Sequence, residues 1–471
     1  MAITLLQDVA HKEMPAGTDW IFTISSTNVV GNYKFKYFAD LSIDLVGGAF
    51  AIRVKFSPNS TGNGIINLSN ILEQYVSSDN LGSYQSGVQS SFKGIHAAQG
   101  SEMPIHCIDK LSLNTKNAQR LNIVWGEEYS VNSLDAPTEF PNQLYSSDYM
   151  FWNGVAYNNE QDLASGEYGI NLSNWAGTNY IINNIQSEML TDAPPGDNIS
   201  TGQLIGEYDY ATLSFINGFL SVGHSKPDSY KVEFFNDSGT LLSSNFVNIN
   251  NANGGYNSTS DTSLQVSYYL QQYIGVGPAN FLGAGITVPT TWSTYEVKLL
   301  TSGATVSRVY KYKRRDADCK GFEKIRLTWL NKYGVWDYYN FTKKNTRATN
   351  INRKEYNAIK GDWNSSTYTK YGYERGRGVL NTSATETISL NSDWFNNDTE
   401  AAWIEQLFIS PEVYILNDYN VHDSAPANYG EYMTPVIVTN KSYDKYTRAN
   451  DKLAQYEIDI EYAHNKRIQK A

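Results

Sequence analysis

The chain has 471 residues, a formal net charge of −11, and 35 tyrosines, 18 phenylalanines and 10 tryptophans against only two cysteines. That length exceeds one ordinary hydrophobic core and predicts two to four domains. No run of about 18 apolar residues is present, so the sequence predicts no membrane insertion, and the acidic balance disfavours stable nucleic-acid binding, which needs clustered positive charge.

The charge is uneven. Residues 1–300 carry 12 Lys and Arg against 27 Asp and Glu, whereas residues 301–471 carry 25 against 21. Solvated surfaces of separate domains account for this; contact between the acidic front of one copy and the basic rear of another is the alternative. Aromatic residues favour strands, and the plentiful Gly, Asn and Ser favour turns. Long stretches with helical period are missing. The expected class is therefore all-β dominated, with several β-sandwich domains and short helices. The start, Met1 to Val9, lacks the basic-then-apolar order of a signal peptide. Cys107 and Cys319 lack metal-type spacing and read as small core residues in a reducing compartment.

A first domain is expected over residues 1–130. Trp20–Ser25, Lys34–Asp44 and Phe50–Phe56 largely alternate apolar and polar residues, which places one face on a core. A short helix follows, capped by Asn67, Ser69 or Asn70, with Leu68, Ile71, Leu72, Tyr75 and Val76 as its buried stripe. Arg120–Trp125 reads as a return strand. Residues 131–200 are expected to be irregular, an aromatic-rich arm or insertion. Tyr145, Tyr149, Trp152, Tyr157, Trp175 and Tyr180 are its interface candidates, because exposed Tyr and Trp anchor many interfaces.

A second sandwich is expected over 201–315, from Glu207–Ile216, Tyr230–Phe235, Leu264–Leu270, Thr294–Leu300 and Thr305–Tyr312. The last domain, 316–471, opens on the clearest hairpin in the chain: Lys324–Leu330 and Val335–Phe341 bracket Asn331–Gly334. Lys343–Lys360 is polar and basic with no apolar stripe, which predicts an exposed loop or arm. Arg347 and Arg353 there, with Arg375 and Arg377 nearby, are further interface candidates. Tyr368–Leu380 and Glu386–Leu390 read as strands. An amphipathic helix from about residue 398 presents Trp403, Ile404, Leu407 and Phe408, and two strand-like runs follow, Thr434–Thr439 and Leu453–Ala463.

Chemistry is hard to find. None of the six histidines sits in a close ligand pair, so no metal and no cofactor is expected. Gly372–Gly378 looks phosphate-friendly, but no helical pattern follows it, and a phosphate cradle needs a helix N-terminus. The acidic sets are Glu127 with Glu128, Asp316 with Asp318, and Glu457 with Asp459 and Glu461. The last three share one strand face and read as solvent-facing charges that discourage edge pairing. No catalytic residue is assigned, and no enzyme is expected.

Several stretches resemble virion proteins of tailed bacteriophages: Phe35–Ser78, the hairpin Leu327–Phe341, Trp403–Tyr414, Pro435–Ser442 and Tyr456–Arg467. The closing helix-and-strands layout is similar to distal tail and baseplate-ring proteins, whose domains share a tail-tube-like sandwich. The middle of the chain departs from that pattern. The resemblance implies a structural protein of the virion tail, made in the host cytoplasm, which assembles into a ring-like homo-oligomer with other phage tail or neck proteins. The alternative it leaves is a capsid-surface or fibre-type receptor-binding protein that recognises host-surface glycan through exposed aromatics. A third, an enzyme acting on cell-surface polysaccharide, would depend on Glu457, Asp459 and Glu461.

Overall fold

The computed structural model describes residues 3–9, 11–45, 48–83, 102–113, 116–140, 145–155, 161–163, 170–175, 180, 182, 184–194, 203–216, 227–249, 271–315, 322–364, 366–374, 376–395, 398–416, 433–443, 455–464 and 466–467. Strands dominate, and the described helices are short. The all-β, sandwich-rich class read from composition is the class observed. Tertiary contacts divide the chain into two units. The first takes Met1–Asp316, Leu330–Tyr338 and Asp418–Tyr429; the second takes Ala317–Trp329, Tyr339–Asn417 and Gly430–Ala471. Strand pairing bridges the borders expected near residues 130 and 200. Leu111–Leu113 pairs with Gln271–Gly275, and Glu13–Pro15 runs parallel to Tyr145–Trp152.

The first unit begins with a sandwich. One sheet has three strands, in the order Ile3–Gln7, Ile21–Ser26, Gly64–Asn67. The other runs Glu13–Pro15, Tyr145–Trp152, Ala118–Ser130, Tyr33–Leu45, Gly48–Phe56, with Thr138–Glu139 paired to Ala118–Ser130. Phe22 of the smaller sheet meets Trp125 at 5.1 Å and Tyr149 at 5.4 Å between ring centroids, so the two inner faces interdigitate. The helix after Asn67 forms as a turn of α-helix, Ser69–Leu72, continued by the 3-10 turn Glu73–Tyr75. Asn67 Oδ1 accepts the Ser69 N–H at 3.0 Å, and Leu68, Leu72 and Val76 are buried.

The segment 131–200 departs from expectation. Tyr145–Trp152 is a core strand, in register with the preceding one from Ala118↔Trp152 to Trp125↔Tyr145. Tyr149, Met150, Phe151 and Trp152 are all buried, so this end of the strand is covered on both faces. Such a strand reads as an apolar run and loses the alternation that marks a half-buried one.

The second sheet pair of this unit centres on the order Gln203–Ile205, Tyr310–Arg314, Thr294–Thr301, Ser229–Phe235, Leu241–Asn248, with Ala304–Thr305 paired to Thr294–Thr301. Alternation is clean in Ser229–Phe235: Tyr230, Val232 and Phe234 are buried. Tyr230 Oη donates to the Gly275 carbonyl at 3.1 Å and Tyr295 Oη to that of Val276 at 2.8 Å. These bonds fasten the sheet to the three-stranded one of Thr212–Ile216, Gln271–Gly275 and Leu111–Leu113. The helix Pro278–Gly283 places Phe281 5.8 Å from Phe234.

Two expected strands are shorter than the sequence suggested. Glu207–Ile216 contracts to Thr212–Ile216 because Asp209 Oδ2 takes the Gly206 N–H at 2.7 Å and holds a turn. Thr305–Tyr312 splits because Ser307 Oγ takes the Leu299 N–H at 2.9 Å in place of a backbone carbonyl. Leu264–Leu270 lies outside the described residues.

On the outer face, Glu233 lies 2.7 Å from Lys231 Nζ and 2.9 Å from Lys298 Nζ. Burial works against its charged form, but the two ammonium groups outweigh it and hold the carboxyl below its usual range. A depressed folded-state pKa gives stability that is present above the unfolded value and lost as pH falls through the folded one. Glu233→Gln is therefore expected to cost about 1 kcal/mol at neutral pH. Urea titrations at several pH values should show that gap closing below 4.5, the ordinary value; an undiminished gap at low pH would contradict the pairing.

The second unit is organised on an eight-stranded sheet. Its main path is Trp336–Phe341, Ile325–Leu330, Val413–Leu416, Met433–Val438, Glu457–Tyr462, Arg377–Asn391, Asn345–Asn357, with Lys466–Arg467 paired to Arg377–Asn391. The helix Asp398–Ile409 buries Trp403, Ile404 and Leu407, as its pattern predicts, and leaves Phe408 partly covered. Trp403 lies 5.4 Å from Trp329 and 6.0 Å from Tyr339. Each such burial contributes roughly 1.5–3 kcal/mol before ordering entropy is subtracted.

The hairpin read from Lys324 to Phe341 is present, and its tip counts with the first unit. Asn331 closes the turn: its N–H donates to the Val335 carbonyl at 2.8 Å, and its Oδ1 accepts the Tyr333 N–H at 2.9 Å. Gly334 has φ of +70°, and a Cβ there would stand 1.7 Å from the Asn153 carbonyl oxygen. Only glycine fits both the left-handed backbone and the close approach. Gly334→Ala is expected to lose about 1–3 kcal/mol. Gly372→Ala, where a Cβ meets nothing within 4 Å, should change stability by less than about 0.5 kcal/mol. Equal effects in denaturant titrations would contradict this.

Candidate functional site

The feature that stands apart from the packed core is a long ribbon in the second unit. Asn345–Asn357 pairs antiparallel with Arg377–Asn391, from Asn345↔Leu390 to Asn357↔Arg377, with one register shift between Lys354 and Glu355. Thirteen residues of strand span about 40 Å. Near the base, Thr387–Asn391 also pairs with Glu457–Glu461, and Ser383–Ala384 with Lys466–Arg467. Beyond Ser383, among the described residues, the pairing is two strands wide. Every residue from Thr346 to Asn357 is exposed, so neither face of this strand is packed.

Lys343–Lys360, expected as an exposed loop or arm, is thus mostly strand. Its backbone groups are satisfied by the ladder, while its side chains remain in water. That is why it shows no apolar stripe. Gly372–Gly378 leads into the second strand, which starts at Arg377, and no helix follows it.

The tip, residues 358–376, is held by its own bonds. Asp362 N–H donates to the Thr369 carbonyl, Trp363 Nε1–H to the Lys360 carbonyl and Asn364 N–H to Asp362 Oδ1, each at 2.9 Å. Large apolar groups nevertheless face solvent: Ile359 is 84% exposed, Tyr373 79% and Trp363 63%. Trp363 and Tyr368 sit 4.4 Å apart between ring centroids, and Tyr371 and Tyr373 stack at 5.5 Å with planes 11° apart. Arg353, Lys354, Lys360 and Lys370 are exposed around them. Arg347 pairs with Glu323 at 2.6 Å and Glu386 at 3.3 Å, and Arg377 pairs with Glu355. Exposed pairs of this kind add little stability and leave the ribbon basic.

The other sequence-derived candidates fall elsewhere. Tyr149 and Trp152 are fully buried core residues, and Tyr149 Oη donates to Asp8 Oδ1 at 2.7 Å, so neither side chain is available to a neighbour. Tyr180 is half-buried; its hydroxyl meets that of Tyr333, which also donates to Asp192 Oδ1 at 2.7 Å. Tyr145 and Trp175 stand on strands, but their side chains, like Tyr157 and Arg375 entirely, lie outside what is described. Arg347, Arg353 and Arg377 are on the ribbon. Ile359, Trp363, Tyr368, Tyr371 and Tyr373 were missed as interface candidates. Their signal was a dense aromatic set among Gly, Asn, Ser and Thr beside a basic run.

Residues 184–194 do not form a projecting arm. Asp192 Oδ2 takes Lys332 Nζ at 2.7 Å, Asp337 Oδ1 takes the Thr191 hydroxyl at 2.6 Å, and Asn331 Nδ2 donates to the Leu190 carbonyl at 2.9 Å. Glu188 pairs with Arg308, although burial raises its pKa on balance. This polar seam fastens the segment to the hairpin tip within the first unit.

The acidic sets also take structural places. Glu127 is buried and accepts Asn28 Nδ2 at 2.6 Å, and Glu128 holds Lys55 at 2.6 Å. Asp316 and Asp318 lie outside the described residues. Glu457, Asp459 and Glu461 do alternate with the buried Ile458 and the partly or fully buried residues around them. Their strand, however, is interior, between Met433–Val438 and Arg377–Asn391, so they do not guard an edge. His106 lies in the 3-10 turn Ile105–Cys107, with Nδ1 2.7 Å from Tyr338 Oη, and Cys107 is buried beside it. Cys319 lies outside the described residues. Among the described residues, no group of three or more His, Cys, Asp or Glu is arranged to hold a metal ion.

Replacing residues 358–376 with Asn-Gly is expected to change stability by less than about 1 kcal/mol, because the tip buries little. Trp152→Ala, in the core, should cost about 3–5 kcal/mol. Thermal melts followed by circular dichroism compare them, and a large loss from the tip replacement would contradict the exposure described.

No protein-family model matches the chain, and no curated protein does. Solved structures similar to it include a trypsin-activated alpha-2-macroglobulin from Escherichia coli, at 6% identity and a TM-score of 0.19, covering 83% of this chain and 20% of that one. A Salmonella alpha-2-macroglobulin reacted with methylamine is similar at 7% identity and a TM-score of 0.18, covering 97% of this chain and 23% of that one. The chain thus spans about a fifth of the length of these two proteins, and likeness at such scores says nothing of its fold or function.

Proposed function

We propose that this chain is a structural component of a tailed-bacteriophage virion, a distal tail or tail-hub ring protein that assembles with copies of itself and with other tail or neck proteins. It is made in the host cytoplasm, ends in the particle, and uses no cofactor and no catalytic step. The observation that supports this most is the ribbon: a strand of 13 residues with both faces in water and an aromatic tip. Monomeric proteins rarely expose such a surface without a partner for it, and a closed ring is one way to cover it. The tail-protein resemblance of the hairpin and the closing helix adds the setting.

A second reading is supported by the paired rings at the tip. Trp363 with Tyr368 and Tyr371 with Tyr373 offer flat apolar faces among hydroxyl and amide groups, the chemistry that stacks on sugars. On that reading the chain is a capsid-surface or fibre-type protein binding host-surface glycan.

Particle proteomics tests the first reading. Purified virions should contain the chain as an integral component, and its confinement to the infected cytoplasm would overturn the proposal. The tip replacement separates the two readings: failed particle assembly favours the tail scaffold, whereas intact particles that do not adsorb favour the receptor binder. Deleting 131–200 would not serve, because it removes the core strand Tyr145–Trp152.

A further inference from the structure

We infer that the ribbon tip, residues 358–376, docks on the acidic first unit of a second copy of this chain. This rests on the assembly reading and names the surface that meets the ribbon. Three observations carry it.

The first is the lack of packing around the ribbon. A two-stranded hairpin is marginal in water by itself. Here the distal part, Arg353–Asn357 with Arg377–Thr382, has only its own ladder among the described residues. A surface that covers it would add what the ladder lacks.

The second is the chemistry of the exposed groups. Ile351, Tyr356, Ile359, Trp363 and Tyr373 are large, apolar and in water. Trp, Tyr and Arg are the side chains that most often anchor protein interfaces, through apolar area with a polar handle. The internal hydrogen bonds of the tip fix part of its backbone beforehand, which lowers the ordering cost of docking.

The third is charge. Residues 343–378 hold nine Lys and Arg against three Asp and Glu, whereas residues 1–316 hold 17 against 28. The chain therefore carries both halves of a complementary pair. Tip-to-tip association would set like charges together, and an acidic partner avoids that repulsion.

The test uses the full chain. Tyr373 is replaced by the photo-crosslinker benzoylphenylalanine, and light and heavy isotope-labelled copies are mixed before irradiation. The expected products are mixed-isotope peptides joining residue 373 to residues within 1–316. The charge-reversed variant Arg353→Glu, Lys354→Glu, Lys360→Glu, Lys370→Glu should weaken self-association in sedimentation by about tenfold or more, and raising salt should weaken the unaltered chain in the same direction.

Self-association that ignores both charge reversal and salt, with residue 373 uncrosslinked or joined only to another tip, overturns this docking and leaves the assembly reading standing. A chain that stays monomeric at every concentration reached, and is absent from virions, overturns both. Crosslinks from residue 373 only to added host-envelope polysaccharide assign the tip to sugar and likewise overturn the docking.

Discussion

A β-strand has two faces and two edges, and each must be packed, paired or left in water. Most of this chain meets that constraint by setting large aromatic side chains between sheets. Phe22 lies against Trp125 and Tyr149, Phe234 against Phe281 and Tyr295, and Trp329 against Trp403. These contacts turn thin sheets into rigid bodies at interior density. Asn345–Asn357 is a long strand on which the same rule is left open from Thr346 onward, with no apolar face turned inward. That contrast between a packed body and an uncovered ribbon is what supports the assembly role proposed for the chain.

The polar interior serves the body as well. Asp192, Asp337 and Asn331 join residues 184–194 to the hairpin tip, and Asn280 Nδ2 donates to the carbonyls of His106 and Ile108 at 2.9 and 2.7 Å. Buried groups bonded in this way give a body one arrangement and exclude slipped ones. Bonds of the same kind engage side chains of the types that carry chemistry elsewhere. His106 is committed to Tyr338, Glu128 to Lys55, and Asp192 to Lys332 and Tyr333.

How much was legible in the sequence depended on whether one face of an element is buried. Ser229–Phe235, Tyr33–Leu45 and the helix Asp398–Ile409 each carry a half-buried pattern and were readable by period alone. Tyr145–Trp152 ends buried on both faces, so it read as aromatic clutter, and Tyr149 and Trp152 passed for interface anchors. Asn345–Asn357 fails in the opposite direction: with both faces wet it looks like a loop. Glu457, Asp459 and Glu461 were placed on the right face but on the wrong kind of strand, because edge or interior is set by distant partners such as Met433–Val438. The aromatic tip was hidden for a related reason. Composition reports how many rings a chain has, and only long-range pairing decides which of them meet water.

Amide hydrogen exchange, read on the free chain and again on the assembled particle, tests the central claim most directly. The account predicts fast exchange over Arg353–Asn357 and Arg377–Thr382 in the free chain, where the ladder is two strands wide, and strong protection of the same amides after assembly. Equal exchange in both states, with the ribbon as open in the particle as in solution, would contradict it.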